Sequence, residues 1–213
     1  MMKNYHPIFN ELFERYPELA PCAGDLVLAG ELLEKGIREG KKILLCGNGG
    51  SAADADHISG ELVKSFCRPR PLAAALGEKL RALDREKGET LARSLQGGIP
   101  AINLTGHIAL STAFGNDVDP YQVFAQQTLV YGAEGDILWG ISTSGNAKNI
   151  YYAALVAQAK GMRVLGMTGK DGGVLKQRCD VCIKVPRTKT YEVQELHLPV
   201  YHALCLYLEA CFW

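Results

Sequence analysis

The sequence lacks several features that mark common classes of protein. Lys plus Arg and Asp plus Glu each number 23, so there is no charge excess of either sign. A broad nucleic-acid-binding surface would need such an excess, and we expect no nucleic acid partner. No apolar run approaches the roughly 20 residues that cross a bilayer, and the N-terminus lacks the apolar core of a secretory signal. We therefore expect no membrane association.

Disulfide pairing is also not indicated by the cysteines. The seven cysteines are an odd number, are scattered, and include Cys46 at the end of an apolar run. This usage fits reduced thiols and a cytoplasmic location. Cys179 and Cys182 form a C-x-x-C pattern without a second one, and we interpret them as strand residues and not as a zinc or redox pair.

Short apolar runs alternate with helical patterns from residue 42 onward. Continuous apolar strands separated by helices are typical of a parallel sheet that is covered on both faces. We therefore predict one α/β domain over residues 1–213, with a doubly wound, five-stranded parallel sheet flanked by helices. The predicted strands are 42–46, 101–104, 137–142, 163–167 and 181–185, and the predicted helices between and after them are 52–66, 121–131, 146–160 and about 192–212.

Two segments lie outside this alternation. The pattern of residues 1–40 predicts a helical arm, with helices at about 4–18 and 22–39. Residues 68–99 begin with a Pro-rich stretch and continue as charged, helix-prone sequence. We interpret them as an insertion of one or two surface helices that flank the site.

Two glycine-containing segments follow predicted strands and open helices. The first is Gly-Asn-Gly-Gly-Ser at 47–51, and the second is Ser-Thr-Ser-Gly-Asn at 142–146. Free N–H groups at helix starts, glycine backbone and hydroxyl donors all suit a phosphate dianion. A tight turn is the alternative for the first segment, and helix capping by Ser144 or Asn146 is the alternative for the second. A dinucleotide site is disfavoured because the second strand does not end in an acidic residue.

His57 and Glu61 are four residues apart on the helix that begins at the first of these segments. This spacing puts both side chains on one helical face, where they can bind a metal or bring a carboxylate to a substrate carbon. A surface ion pair is the alternative. The position of the helix, directly after a predicted phosphate loop, favours the functional interpretation.

Five motifs follow one another along the chain: residues 47–51, Gly-Asn-Asp at 115–117, residues 140–146, Thr-Gly-Lys-Asp-Gly-Gly at 168–173, and Gln-Glu-Leu-His at 194–197. This is the order seen in phosphoheptose isomerases, a branch of the sugar isomerase (SIS) domain family. The chain resembles that branch from about residue 41 to the C-terminus, and its helical arm is also typical.

The resemblance implies isomerisation of a sugar phosphate, sedoheptulose 7-phosphate, with Glu61 as catalytic base and His202 as its acid–base partner. It also implies a possible zinc ion, a homotetramer with active sites between subunits, and a structural His197. The implied zinc ligands are His57, Glu61, Gln194 and His202; the implied substrate-binding residues are Asn48, Gly49, Gly50, Ser51, Asn116, Asp117, Ser142, Thr143, Ser144, Asn146 and Gln194.

The spacing of Gln194 and His202 raises a difficulty for this ligand set. Residues eight apart on one helix are separated by about 12 Å along its axis. Either Gln194 precedes the regular helix, which Pro199 would favour, or the site is assembled across subunits. Both alternatives favour a homo-oligomer.

Three positions depart from the family pattern. They are Ala147 in place of a serine, Tyr191 in place of an acidic residue, and Ser65 in place of an arginine. The segment between Glu61 and Asp117 is also longer than usual. An isomerase for another phosphosugar and a non-catalytic phosphosugar-binding regulator therefore remain as alternatives.

Overall fold

A five-stranded, wholly parallel sheet forms the centre of the computed structural model, which describes residues 6–213. The strand order is β2-β1-β3-β4-β5. Apolar side chains of successive residues point to opposite faces, and both faces are buried. The predicted sheet is therefore confirmed. Its strands are β1 (Ile43–Cys46), β2 (Ala101–Asn103), β3 (Ile137–Ser142), β4 (Arg163–Thr168) and β5 (Val181–Lys184).

Helices cover both faces of the sheet. They are α1 (Pro7–Arg15), α2 (Ala23–Arg38), α3 (Gly50–Val63), α4 (Ala74–Leu83), α5 (Arg85–Ser94), α6 (Ile108–Asp117), α7 (Val123–Tyr131), α8 (Lys148–Ala159) and α9 (Thr190–Phe212). One apolar core joins α1, α2, α3 and α9 to the sheet. A second core joins α7 and α8 to the opposite face. This two-sided cover is the predicted doubly wound arrangement.

The helical arm ends before the sheet, as expected. α1 and α2 are joined by a 3-10 turn at Pro17–Cys22, where the two prolines interrupt the helical pattern. The predicted start of the first helix at residue 4 lies outside the described residues. α6 was not predicted, because its apolar stretch has no charged face to reveal a helical period.

Pro199 lies inside α9, which is regular from Thr190 onward. The interpretation that Gln194 precedes the regular helix is therefore wrong. An interior proline costs about 3 kcal/mol, because it removes a backbone hydrogen bond and crowds the preceding turn. Here the helix continues because Val200, Leu204 and Leu208, which follow the proline, are buried in the core.

The insertion, for which one or two surface helices were predicted, contains the two helices α4 and α5, which form a hairpin. Its base is closed by an isolated bridge between Pro71 and Gln96 and by a 2.7 Å hydrogen bond from the Gly97 amide to the Arg70 carbonyl. The two helices approach closely at Gly88, where an added Cβ would lie 2.1 Å from the Leu80 carbonyl oxygen. Glycine is needed there because any side chain would meet backbone.

The seven cysteines are all free thiols in the structure. Cys182 lies in β5 and Cys179 just precedes it, so only Cys182 is the strand residue that we expected. Of the helices in residues 6–213, none combines the length and the apolar character that a membrane span requires.

Replacing Gly88 by alanine should open the hairpin. The added methyl group must displace the Leu80 backbone, so we expect faster amide hydrogen exchange throughout α4 and α5 in Gly88→Ala. Gly77→Ala is the matched control, because its Cβ would meet the end of the Arg81 side chain at 3.3 Å, and alanine raises helix propensity by up to about 1 kcal/mol. Equal or slower exchange in both variants would show that the contact at Gly88 does not limit the hairpin.

Candidate active site

The two predicted phosphate loops lie side by side at one end of the sheet. They follow β1 and β3, which are neighbours, although β2 lies between them in sequence. In doubly wound sheets the strand order reverses at such a point, and the crevice beyond the carboxyl ends of these strands is where ligands bind. The topology therefore brings Ser51 and Ser142 to the same crevice.

The loop after β1 is shaped by its glycines. Gly49 has a φ of +54° and is the N-cap of α3, which has no side-chain cap. Gly47 is held close to Ser51, since an added Cβ would lie 2.2 Å from the Ser51 carbonyl oxygen. Ser51 is buried, whereas Asn48, Gly49 and Gly50 are exposed. The uncapped helix start leaves amide donors for an anion.

The loop after β3 has the same character. Ser142 ends the strand, and α8 begins only at Lys148, with Ala147 as an N-cap that provides no side-chain bond. The alternative that Ser144 or Asn146 caps α8 is therefore wrong. Their side chains instead bond within and beside the loop: Ser144 Oγ accepts from the Asn146 amide at 3.1 Å, and Asn146 Oδ1 accepts from the Val174 amide at 3.1 Å. The Thr143 carbonyl accepts from the Gly169 amide at 2.9 Å.

A reciprocal amide pair joins the two loops. Asn48 Nδ2 donates to Asn149 Oδ1 at 2.9 Å, and Asn149 Nδ2 donates to Asn48 Oδ1 at 2.8 Å. Asn149 lies in the first turn of α8, and the sequence analysis did not select it. The pair links the loop before α3 to the first turn of α8.

His57, Glu61 and His202 converge where α3 packs against α9. His57 Nε2 lies 3.2 Å from Glu61 Oε1, and the ring centroids of His57 and His202 are 5.0 Å apart. The Glu61 side chain is 14% exposed. Phe66 also packs against the His202 ring, at 5.5 Å between centroids. The structure therefore brings the predicted base and its predicted partner together within one chain.

Two residues that the sequence analysis did not assign complete this cluster. The Tyr201 hydroxyl lies 2.9 Å from His57 Nδ1, and it is close enough to Asp54 to lower the pKa of that carboxyl. Asp54 is one turn before His57 on α3, so a polar chain runs from Asp54 through Tyr201 and His57 to Glu61. The i, i+3 spacing of Asp54 and His57 is the signal that points to Asp54.

Burial changes the acid–base properties of this cluster. It raises the pKa of Asp54 to about 6, against the opposing effects of the Tyr201 hydroxyl and the His57 charge. It also lowers the pKa of His202, and the neighbouring His57 charge lowers it further. A neutral His202 is therefore favoured, which is the form able to accept a proton.

Gln194 and His197 lie further back along α9. Gln194 packs onto the start of α3, because an added Cβ on Gly50 would lie 2.4 Å from its Nε2. Gly50 precedes His57 by about 10 Å along the α3 axis. Gln194 therefore faces the phosphate loop and not the His57 cluster. His197 is fully buried, and burial lowers its pKa to about 4, as for a neutral ring in the core.

Asn116 and Asp117 end α6 and are exposed. Asn116 Nδ2 donates to Asp117 Oδ1 at 2.9 Å. Among the described residues, no hydrogen bond or ion pair joins them to the other candidate site residues. Within one chain they are therefore not part of the cluster.

The donor set of the cluster fits a metal ion in part. Glu61 Oε2 and His202 Nε2 are buried and have no hydrogen-bond partner among the described residues. Carboxylate oxygen and imidazole nitrogen are ligands that zinc accepts. His57, Glu61 and His202 thus supply donor atoms of the kind that zinc accepts, but residues 6–213 include no group of three His, Cys, Asp or Glu side chains placed so that it could hold a metal ion. Gln194 of the same chain is too far along α9 to be the fourth.

The sequence is similar to known proteins over most of its length. The model of the SIS domain matches residues 10–96 and 88–169. The phosphoheptose isomerase of Geotalea daltonii is 40% identical over 90% of this chain and 85% of its own length. That of Rhodospirillum rubrum is 35% identical over 88% and 86%. The chain belongs to the phosphoheptose isomerase family. The Neisseria gonorrhoeae phosphoheptose isomerase structure superposes with a TM-score of 0.73 at 32% identity, covering 95% of both chains.

As a member of the phosphoheptose isomerase family, this chain has the expected SIS fold and the expected loops. Three residues that contact the candidate site were missed from sequence: Asp54, Tyr201 and Asn149. Tyr201 and Asn149 occupy helical positions that carry no local pattern, so only the packing of α9 and α8 reveals them.

The raised pKa of Asp54 predicts a pH-dependent stability. Because the folded state holds this proton more tightly than the unfolded state, the contribution of Asp54 is most favourable below pH 4 and is lost as the pH rises to about 6. The free energy of unfolding of wild type, relative to Asp54→Asn, should fall by about 1–3 kcal/mol across that range. Urea unfolding of metal-free protein measures this difference.

Asp56→Asn is the matched control for that experiment. Asp56 is exposed on the same helix, where it accepts a hydrogen bond from Asn103. Its variant should follow the pH profile of wild type. A parallel profile for Asp54→Asn as well would mean that Asp54 titrates normally.

Proposed function

We propose that this protein interconverts sedoheptulose 7-phosphate and D-glycero-D-manno-heptose 7-phosphate. The observation that carries the proposal is the convergence of Glu61 and His202 at a helix that begins at a phosphate loop. The relatives at 35–40% identity are named phosphoheptose isomerases, which supports the same reaction class here.

The substrate phosphate is assigned to the crevice at the ends of β1 and β3. Amides at the starts of α3 and α8, together with the Ser51, Ser142, Thr143 and Ser144 hydroxyls, supply its hydrogen bonds. Glu61 is eleven residues along α3 from Gly50, about 16 Å along the axis, and its side chain is inclined back toward the helix start. A long, extended sugar phosphate suits this separation better than a triose phosphate does.

Two residues carry the proton transfers in this proposal. Glu61 takes the proton from C1 of the ketose, the C2 carbonyl oxygen gains a proton, and an enediol forms. His202 exchanges protons with the two oxygens, as the donor to O2 and the acceptor from O1. Loss of the O1 proton then gives the C1 aldehyde, as Glu61 returns its proton to C2. The neutral imidazole favoured by burial suits the role of His202.

We propose His57, Glu61 and His202 as ligands of a zinc ion, on the basis of their donor atoms. When bound, it would supply Lewis-acid assistance to the substrate carbonyl. Tyr201 holds the His57 ring through Nδ1, an outer contact of the kind that orients metal-binding imidazoles.

A second copy of the chain is proposed to supply Gln194 to each site, within a homotetramer. Gln194 and His202 are on one regular helix and about 12 Å apart along it, so one chain cannot bring both to the same ion. α6, which bears Asn116 and Asp117, has no buried residue and exposes Ile108. An interface there would cover that apolar surface and bring Asn116 and Asp117 to a neighbouring site. The seven free thiols suit a cytoplasmic location.

The alternatives are an isomerase for another phosphosugar and a non-catalytic binding protein. The first would share both loops and differ around Tyr191 and the insertion. The second would not need both Glu61 and His202, and the convergence of these two side chains on His57 therefore favours catalysis.

Replacing Glu61 by glutamine should abolish most turnover of sedoheptulose 7-phosphate. The amide keeps the shape but cannot accept the C1 proton, so we expect kcat to fall by about 100-fold to 10,000-fold. Glu195→Gln, at an exposed position of α9, is the control and should be active. Wild type that binds the sugar phosphate without converting it would contradict the proposal.

Mixing two inactive variants tests the shared site. If Gln194 and His202 in one site come from different chains, oligomers formed from Gln194→Ala and His202→Ala subunits contain some intact sites. Activity should therefore return when the two are unfolded and refolded together, and light scattering should give the mass of a tetramer. Intact tetramers without restored activity would place both residues in the same site from one chain.

A further inference from the structure

A buried ion pair lies directly behind the proposed catalytic cluster. Arg70, at the base of the inserted hairpin, has a side chain that is 0% exposed, and its partner Glu209 on α9 is 1% exposed. Arg70 Nε donates to Glu209 Oε1 at 2.8 Å. Buried pairs of this kind often add little net stability, because both charges lose their hydration. Their position can therefore be more informative than their energy.

The remaining donors of Arg70 hold the end of α3. Nη2 donates to the Glu61 carbonyl oxygen at 3.0 Å, and Nη1 donates to the Leu62 carbonyl oxygen at 2.8 Å. The last carbonyls of a helix have no partners within it. The guanidinium group thus fixes the backbone of the residue that carries the proposed base.

Glu209 holds the chain that leaves α3. Its Oε1 accepts from the Phe66 amide at 2.9 Å, and its Oε2 accepts from the amides of Cys67 and Arg68 at 2.8 and 3.0 Å. Glu209 is seven residues after His202, about two turns further along α9. Phe66, which packs on His202, is therefore held by the same carboxylate.

These contacts tie the Glu61 backbone and the His202 helix to one point. The indole of Trp213 covers that point, with the Arg70 guanidinium carbon 4.7 Å from its ring centroid. A lysine could not reproduce the arrangement, because its ammonium group lacks the planar fork that reaches two carbonyls and a carboxylate together.

We propose that Arg70 and Glu209 are positioning residues for the isomerisation. They set the Glu61 carboxylate relative to His57 and His202. The proposal rests on the function proposed above, since it concerns the same base. Neither side chain touches the substrate, and both act through Glu61 and Phe66.

Arg70→Lys and Glu209→Gln test the proposal in the full-length protein. We expect kcat for sedoheptulose 7-phosphate to fall by about 100-fold, as for a catalytic group displaced by about 1 Å, while KM is unchanged because the phosphate loops lie at the other end of α3. The matched controls are Arg81→Lys and Glu89→Gln, an exposed ion pair in the same insertion, and they should keep the wild-type rate.

A purely structural role of Arg70 is distinguished from a positioning role by introducing Arg70→Lys into Glu61→Gln protein. If Arg70 acts through the Glu61 carboxylate, the Arg70→Lys substitution should lower kcat only slightly in protein that already lacks this carboxylate. An equal loss in both backgrounds, or an unchanged kcat in folded Arg70→Lys, would overturn the proposal. If Arg70→Lys does not fold, Glu209→Gln gives the same comparison.

A crystal structure of the variant decides the question without any substrate. The Glu61 carboxylate should move away from its 3.2 Å contact with His57 Nε2. A carboxylate that stays in place overturns the positioning role. Wild type that fails to convert sedoheptulose 7-phosphate would contradict the proposed function, and the displacement of Glu61 would still decide the role of Arg70.

Discussion

Helices α3 and α9 lie side by side on one face of the sheet, and the acid–base groups of the candidate site lie at their contact. The pairs Gly50–Gln194 and His57–His202 follow one another in the same order along both helices, so the two helices run parallel. The phosphate loop opens one of them. Parallel packing therefore gives the crevice an anion-binding end and a proton-transfer end, and the distance between them follows from the pitch of α3.

Much of this arrangement follows from local sequence. The strands are continuous apolar runs, and Gly49 and the hydroxyls at 142–144 mark strand-to-helix junctions. His57 and Glu61 share a face because of helical spacing. These features were predicted because each depends on residues that are close in sequence.

The contacts that were not predicted are long-range. Tyr201 reaches Asp54 and His57, and Arg70 reaches Glu209, only because α9 packs against α3. Pro199 also misled the sequence analysis, because a helix-breaking residue is tolerated when burial of the following turns outweighs its cost. Tertiary packing decides whether a helix continues through a proline, and the periodicity of the sequence carries no information about that packing.

The inserted hairpin has a consequence for how this chain can be modified. Its two ends are joined by the Arg70–Gly97 hydrogen bond and the adjacent bridge. The hairpin therefore connects to the rest of the domain through these contacts, whatever the length of the chain between its ends. Loop-closure entropy grows only slowly with length. Asp84, between the two helices, is exposed and lies at the turn. This turn is therefore a natural place to fuse a reporter domain, because the added chain would leave the hydrogen bonds around Glu61 unchanged.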